Sequence, residues 1–124
     1  MLNEKIYRTI SVLGASFIWG FWAYHINHGD LNSRLLSAFC QGLFSGVATS
    51  IMIDAIKFLQ NRFKSALFPP VIVTATTAVA GSLVHYTIGT SEIFFTVFPA
   101  VTVALIFSMY TSFTQFKKSS REKA

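Results

Sequence analysis

The chain has 124 residues, a length that accommodates one domain. Hydrophobic residues make up 52% of it and charged residues only 12%, about half the charged share of a typical soluble domain, which excludes a surface solvated mainly by water. The net charge is +5, but the cations lie in short clusters between long apolar runs. That pattern excludes the basic patch expected of a nucleic-acid-binding protein and indicates a membrane protein.

Four apolar segments follow one another along the chain. They cover residues 6–26, 35–56, 71–88 and 93–116. Each is long enough to cross a hydrocarbon core of about 30 Å as a helix that rises about 1.5 Å per residue. Lipid offers no partners for backbone N–H and C=O groups, so the segments are expected to be helical. We therefore predict an all-α membrane protein in which residues 1–124 form a single four-helix transmembrane bundle of two helical hairpins.

Residues that end or begin helices lie between these segments. Gly29 and Gly89 follow the first and third segments, where a left-handed residue commonly ends a helix. Asp30 is placed to cap the second helix. Pro99 lies inside the fourth segment and is expected to kink it. These signals predict a short turn within each hairpin.

The distribution of Lys and Arg orients the predicted helices. Nine cations fall before the first segment, between the second and third, or after the fourth, whereas Arg34 alone falls on the opposite side. By the positive-inside rule, both termini and the middle loop are cytoplasmic, and we predict a multi-pass protein of the bacterial inner (plasma) membrane. The nine cations are Lys5, Arg8, Lys57, Arg62, Lys64, Lys117, Lys118, Arg121 and Lys123.

Small residues recur every four positions along the second segment. Ala38, Gly42 and Gly46 form the centre of this ridge. Small side chains let two helix backbones approach closely in lipid, so the ridge is interpreted as a packing surface inside the bundle or between protomers. A conduit lined by backbone is the alternative. Gly20 in the first segment and Gly81 in the third are predicted to serve helix packing as well.

Polar residues beside the ridge are candidates for an ion or solute path. Gln41, Ser45 and Thr49 form a neutral stripe, and Ser50 belongs to the ridge itself. Asp54 is the acid closest to membrane depth, and a carboxylate at such depth is a functional candidate. An interfacial ion pair, or a hydrogen bond to a neighbouring helix, is the structural alternative for Asp54.

Histidines gather near the predicted outer surface. His25 and His28 are three residues apart, and His85 and Glu92 lie at a similar height. The four side chains are candidates for a metal site at the outer face, and the histidines for a heme site. Interfacial histidines that bond to headgroups or loop carbonyls are the structural alternative. No other cofactor is expected.

The sequence lacks the residue sets that catalysis needs, since it has no activated nucleophile and no adjacent pair of carboxylates. We predict that the protein is not an enzyme. The favoured function is an oligomeric transporter or channel for an ion or small solute, with a second protomer completing the path. One alternative is a non-catalytic membrane partner, either an accessory subunit or an immunity-type protein against a membrane-inserting toxin. The other is metal or heme binding at the periplasmic face. Expected partners are the lipid bilayer and a second copy or another membrane protein.

Overall fold

The computed structural model describes residues 3–124, which form four α-helices and no strand. The helices are α1 (Glu4–Ile26), α2 (Leu31–Phe63), α3 (Phe68–Ile88) and α4 (Ile93–Lys123). The all-α prediction is confirmed, and each helix contains the corresponding predicted segment. At about 1.5 Å per residue, α2 and α4 are about 50 Å and about 46 Å long. Both therefore extend beyond the thickness of a hydrocarbon core.

Within residues 3–124, the helices long and apolar enough to cross a membrane are α2, α3 and α4. The helix α1 has sufficient length but is less apolar, because aromatic and polar side chains replace aliphatic ones in its second half. Those residues are Trp19, Trp22, Tyr24 and His25. The structure thus supports a membrane protein, because three of the four predicted segments lie in helices that are long and apolar enough to cross a membrane.

Large apolar side chains cover the outside of every helix. Phe17 is 74% exposed, Phe39 69%, Val79 62% and Ile106 65%, one on each helix in turn. Lipid solvates such side chains, whereas a water-soluble protein of this size would leave few of them in contiguous exposed patches. Many polar side chains are buried instead, namely Asn27, Ser37, Gln41, Ser45, Gln60, Thr74, His85, Thr90, Thr96, Ser108, Thr111 and Ser112.

The ridge of small residues packs α2 against α1 of the same chain. Gly20 lies against Ala38 and Gly42, where a Cβ built on Gly20 would lie 3.1 Å from the Ala38 carbonyl oxygen. A Cβ built on Gly42 would lie 2.8 Å from the Ser16 carbonyl oxygen, and one built on Gly46 would overlap the Ser16 hydroxyl. The two backbones therefore approach as closely as glycine allows, and the ridge is occupied within the chain.

The turns follow the sequence signals with one difference. Gly89 has φ 73° and is the left-handed C-cap of α3. Gly29 also has a positive φ of 113°, but α1 ends earlier, with Asn27 as its C-cap in an extended conformation. Asp30 caps α2 by accepting the Ser33 backbone N–H at 3.0 Å. Hydrogen bonds from the Ser33 side chain and backbone hold the pKa of the Asp30 carboxyl below its usual range.

Pro99 lies inside α4, which continues through it as one helix. Because proline has no N–H, the carbonyl of Phe95, four residues earlier, has no partner within the helix. The indole N–H of Trp22 on α1 donates to this carbonyl at 2.8 Å. A free carbonyl is costly in lipid, so this hydrogen bond offsets the effect of the proline and joins α1 to α4.

Candidate functional site

A cavity of about 420 Å³ lies between the helices. The helices α1 and α4 are joined near the α1–α2 and α3–α4 turns, which we call the two-turn end, by the Trp22–Phe95 hydrogen bond. They are joined again towards the opposite end, called the termini end, by a 2.8 Å hydrogen bond between the Tyr7 and Thr111 hydroxyls. Between these two contacts, residues of both helices line the cavity. Its volume is in the range of small-molecule sites.

One wall of the cavity is polar. It consists of Gln41, Ser45 and Thr49, successive turns of α2, so the stripe predicted from the sequence faces the cavity. Ser11 and Thr77 add two further hydroxyls, and the remaining lining is aliphatic, aromatic or small. No charged side chain of the described chain lines it. The cavity therefore suits a neutral, largely apolar molecule better than a bare ion. An ion would lose its hydration, and the lining has no charge to offset that cost.

His85 lies fully buried behind this polar wall. Its Nε2 is 2.6 Å from the Gln41 Oε1, its Nδ1 is 2.7 Å from the Thr90 Oγ1, and the Thr90 hydroxyl is 3.1 Å from the Ser37 hydroxyl. An amide oxygen only accepts, so Nε2 carries the hydrogen and donates to Gln41. In the neutral tautomer with its hydrogen on Nε2, Nδ1 accepts from the Thr90 hydroxyl, and Thr90 accepts from Ser37. The hydrogen bonds of this tautomer run in one direction from Ser37 through Thr90 and His85 to Gln41.

Sequence reasoning placed these residues in two unrelated groups. Gln41 belonged to the solute stripe, whereas His85 was a candidate metal ligand. They are 44 residues apart, and no local spacing links them. Thr90 and Ser37 were not assigned to any site. Only the approach of α3 to α2 brings the four side chains together.

A second buried polar cluster centres on Asn27. Its amide N–H groups donate to the Thr96 Oγ1 at 2.9 Å and to the Ala23 carbonyl at 2.8 Å. Its Oδ1 accepts the Glu92 backbone N–H at 2.9 Å and the Ser91 hydroxyl at 3.2 Å. Asn27 thus ends α1 and also binds the backbone N–H of Glu92, the residue directly before α4. The sequence analysis missed it, although an Asn directly after an apolar helix was a signal that could have pointed to it.

Asp54 lies outside the cavity lining, towards the termini end. Arg8 donates to its two carboxylate oxygens at 2.5 and 3.0 Å, and also to the Ser50 carbonyl and hydroxyl at 2.9 and 3.1 Å. The Asp54 side chain is 70% exposed, so this ion pair contributes less than about 1 kcal/mol to stability. The arrangement joins α1 to α2, and an ion-conducting role for Asp54 and Ser50 stays a prediction.

The four candidate metal ligands lie in different surroundings. His85 is buried with both ring nitrogens hydrogen-bonded, whereas His25 and His28 are exposed. The His25 ring packs against Phe21 at a centroid distance of 4.3 Å. The backbone N–H of Glu92 is bound by the Asn27 cluster. Across residues 3–124, no group of three or more His, Cys, Asp and Glu side chains is arranged to hold a metal ion. Metal or heme binding stays a prediction.

No protein family matches the chain, and no curated protein and no solved structure is significantly similar to it. The cavity and the hydrogen-bonded groups behind its polar wall are therefore the observations from which a function can be argued. They combine a half-open cavity, the absence of charge in the described lining and a defined set of polar atoms.

Proposed function

We propose that all four helices cross the membrane. The helix α1 lies beside α2 from the Arg8–Asp54 ion pair to the hydrogen bond between the Arg34 side chain and the Tyr24 carbonyl. If α2 spans the bilayer, α1 spans it alongside. Its 23 residues are about 34 Å long, and residues 9–26 contain no charged side chain. Length and packing thus support a fourth span despite the aromatic content of α1.

The charge distribution supports cytoplasmic termini. The nine cations predicted to be cytoplasmic belong to the termini end, whereas Arg34 is at the two-turn end. This asymmetry favours a bundle of two hairpins in the bacterial inner membrane, with the two-turn end outside.

The crossing of α1 can be tested by labelling single cysteines with a membrane-impermeant maleimide, in a Cys40→Ser background. In intact cells we expect Asn32→Cys to react, because its turn is outside. Asn3→Cys and Ser120→Cys should react only after permeabilisation. If α1 instead lies on the outer surface, Asn3→Cys will react in intact cells while Ser120→Cys stays protected.

Within this bundle, we propose that the protein is a transporter for a small, neutral, partly apolar solute. The observation that carries the proposal is the cavity of about 420 Å³, with its polar wall on α2. One chain lines this cavity, so a second protomer is not needed to form it. Movement of one hairpin against the other would open the cavity by breaking the Trp22–Phe95 hydrogen bond at one end and the Tyr7–Thr111 hydrogen bond at the other in turn. Relative movement of packed units around a central site is how alternating access works.

Filling the cavity tests this function. Ala104 lines the cavity, and Ala75 is exposed on α3. In proteoliposomes with a panel of radiolabelled neutral ketones, esters and alcohols, we expect at least one solute to exchange faster than in protein-free vesicles. Ala104→Phe should reduce that protein-dependent rate by roughly tenfold, about 1.4 kcal/mol in the barrier, whereas Ala75→Phe should leave it unchanged.

Two results would contradict the transport proposal. One is background exchange for every solute in the panel. The other is an equal rate for Ala104→Phe and the unmodified chain. The alternative function as an accessory or immunity-type partner predicts the first result together with specific co-purification of another membrane protein.

A further inference from the structure

We propose that the cavity selects molecules carrying a neutral hydrogen-bond acceptor, such as a ketone, quinone or ester carbonyl, and that His85 imposes this preference by orienting Gln41. The inference rests on the proposed role of the cavity as a solute site, and it names the ligand class. His85 does not line the cavity and acts through Gln41, so it is a positioning residue.

The orientation of the Gln41 amide follows from its partners. His85 Nε2–H occupies the amide oxygen at 2.6 Å, which removes the strongest acceptor of the polar wall from the cavity. The amide nitrogen consequently faces Ser45, whose hydroxyl oxygen accepts from it at 3.3 Å. Because the Thr90 hydroxyl in turn holds the other ring nitrogen of His85 at 2.7 Å, the imidazole cannot rotate without losing both bonds.

The unused hydrogen-bond donors of the polar wall determine which ligand groups it can bind. The Gln41 amide has two hydrogens, and one of them serves Ser45. The second makes no other hydrogen bond within the described chain, and neither does the hydroxyl hydrogen of Ser45. Thr49 differs, because its hydroxyl donates to the Ser45 carbonyl at 2.7 Å. The wall therefore presents two unused donors on adjacent turns of α2.

The rest of the lining restricts the ligand further. Apart from the Ser11 and Thr77 hydroxyls, the other walls consist of aliphatic, aromatic or small residues such as Ile18 and Val101, so most of the ligand is apolar. An anionic acceptor such as a carboxylate would lack a cation, since no charged side chain of residues 3–124 lines the cavity. A neutral carbonyl on an apolar body satisfies both conditions.

Three probes of matched shape separate acceptor recognition from apolar fit. They are 2-decalone, which only accepts, decalin, which has no polar group, and 2-decalol, which donates and accepts. Binding to the full chain in lipid nanodiscs is followed by the NMR signals of the glutamine side-chain amides, at equal mole fractions of probe in the lipid. We expect 2-decalone to shift the Gln41 signal and to bind at least about tenfold more tightly than decalin. The Gln60 amide, bound to Ser112, should not shift.

Variants test the donors and the positioning role. Gln41→Met and Ser45→Ala should each reduce the preference for 2-decalone over decalin, measured as the ratio of the two affinities within the same variant. His85→Phe keeps an aromatic ring but lacks the donor, so the Gln41 amide can turn over, and the preference should move from 2-decalone towards 2-decalol. Thr76→Val, whose hydroxyl donates to its own helix on the exposed side of α3, is the control and should change nothing.

Equal binding of 2-decalone and decalin would overturn the inference, as would a ketone preference that survives both Gln41→Met and Ser45→Ala. Both donor variants keep the test decisive if His85→Phe does not fold. Ketone-selective binding without flux would remove the transport proposal and keep this one. Protein-dependent flux with equal binding of 2-decalone and decalin would keep the transport proposal and remove this one.

Discussion

Gly42→Leu is expected to separate α1 from α2 and to destabilise the protein by about 3 kcal/mol or more. A Cβ at this position would lie 2.8 Å from the Ser16 carbonyl oxygen and 3.5 Å from the Gly20 Cα. Both are backbone atoms, which cannot move aside as the end of a side chain can. The fraction of SDS needed to unfold the protein in mixed micelles, followed by circular dichroism, should fall sharply.

Two other glycines provide matched controls. Gly14→Leu enters open space, since nothing lies within 4 Å of a Cβ built there, and should retain nearly the stability of the unmodified chain. Gly46→Ala meets the Ser16 hydroxyl, which can rotate away, so it should cost less than Gly42→Ala. If Gly42→Leu and Gly14→Leu unfold at the same SDS fraction, the close approach of α1 and α2 is not what holds the first hairpin together.

His85→Leu is expected to lower the free energy of unfolding by about 2–4 kcal/mol. The substitution leaves the Gln41 Oε1 without its partner in a buried site, whereas the Thr90 hydroxyl keeps its hydrogen bond to Ser37. An unsatisfied buried polar group costs about 1–3 kcal/mol, whereas side-chain hydrogen bonds between membrane helices average only about 0.6 kcal/mol. The cost of an unsatisfied buried group applies here, because Gln41 is buried and removal of His85 leaves its amide oxygen without a hydrogen-bond partner.

A double-mutant cycle distinguishes this cause from loss of packing. In the His85→Leu background, Gln41→Leu removes the stranded amide, so the double variant should recover part of the lost stability. Thr87→Val, an exposed position whose hydroxyl donates to the Leu83 carbonyl, should stay within about 0.5 kcal/mol of the unmodified chain. A double variant less stable than His85→Leu would show that the hydrogen bond to Gln41 is not the source of the effect.

The helices are longer than the apolar segments from which they were predicted. The segments predicted as 35–56 and 93–116 belong to helices that run from Leu31 to Phe63 and from Ile93 to Lys123. Hydropathy detects only the part of a helix that lipid can solvate, so the polar extensions lie outside the predicted spans. For α1, hydropathy understates the capacity of the helix to span a membrane. Its aromatic residues lower the mean hydropathy, although its length is sufficient.

The candidate site was predictable in part. The spacing of Gln41, Ser45 and Thr49 places them on one face of α2, and that face lines the cavity. The role of the glycine ridge as a contact between helices was also readable from its spacing. Whether it contacts a helix of the same chain or a second copy was not, and the structure places Gly42 against Ser16.

By itself, the sequence determined that the chain is helical, that it belongs in a membrane and which residues share a helix face. Helices in lipid satisfy their backbone hydrogen bonds internally, so their formation depends on local composition and can be read locally. The tertiary structure alone decided that His85 holds Gln41, that Asn27 binds the backbone N–H of Glu92 at the start of α4, and that residues of all four helices line one cavity. These contacts join residues distant in the chain, and their partners depend on how whole helices pack, which local spacing does not encode.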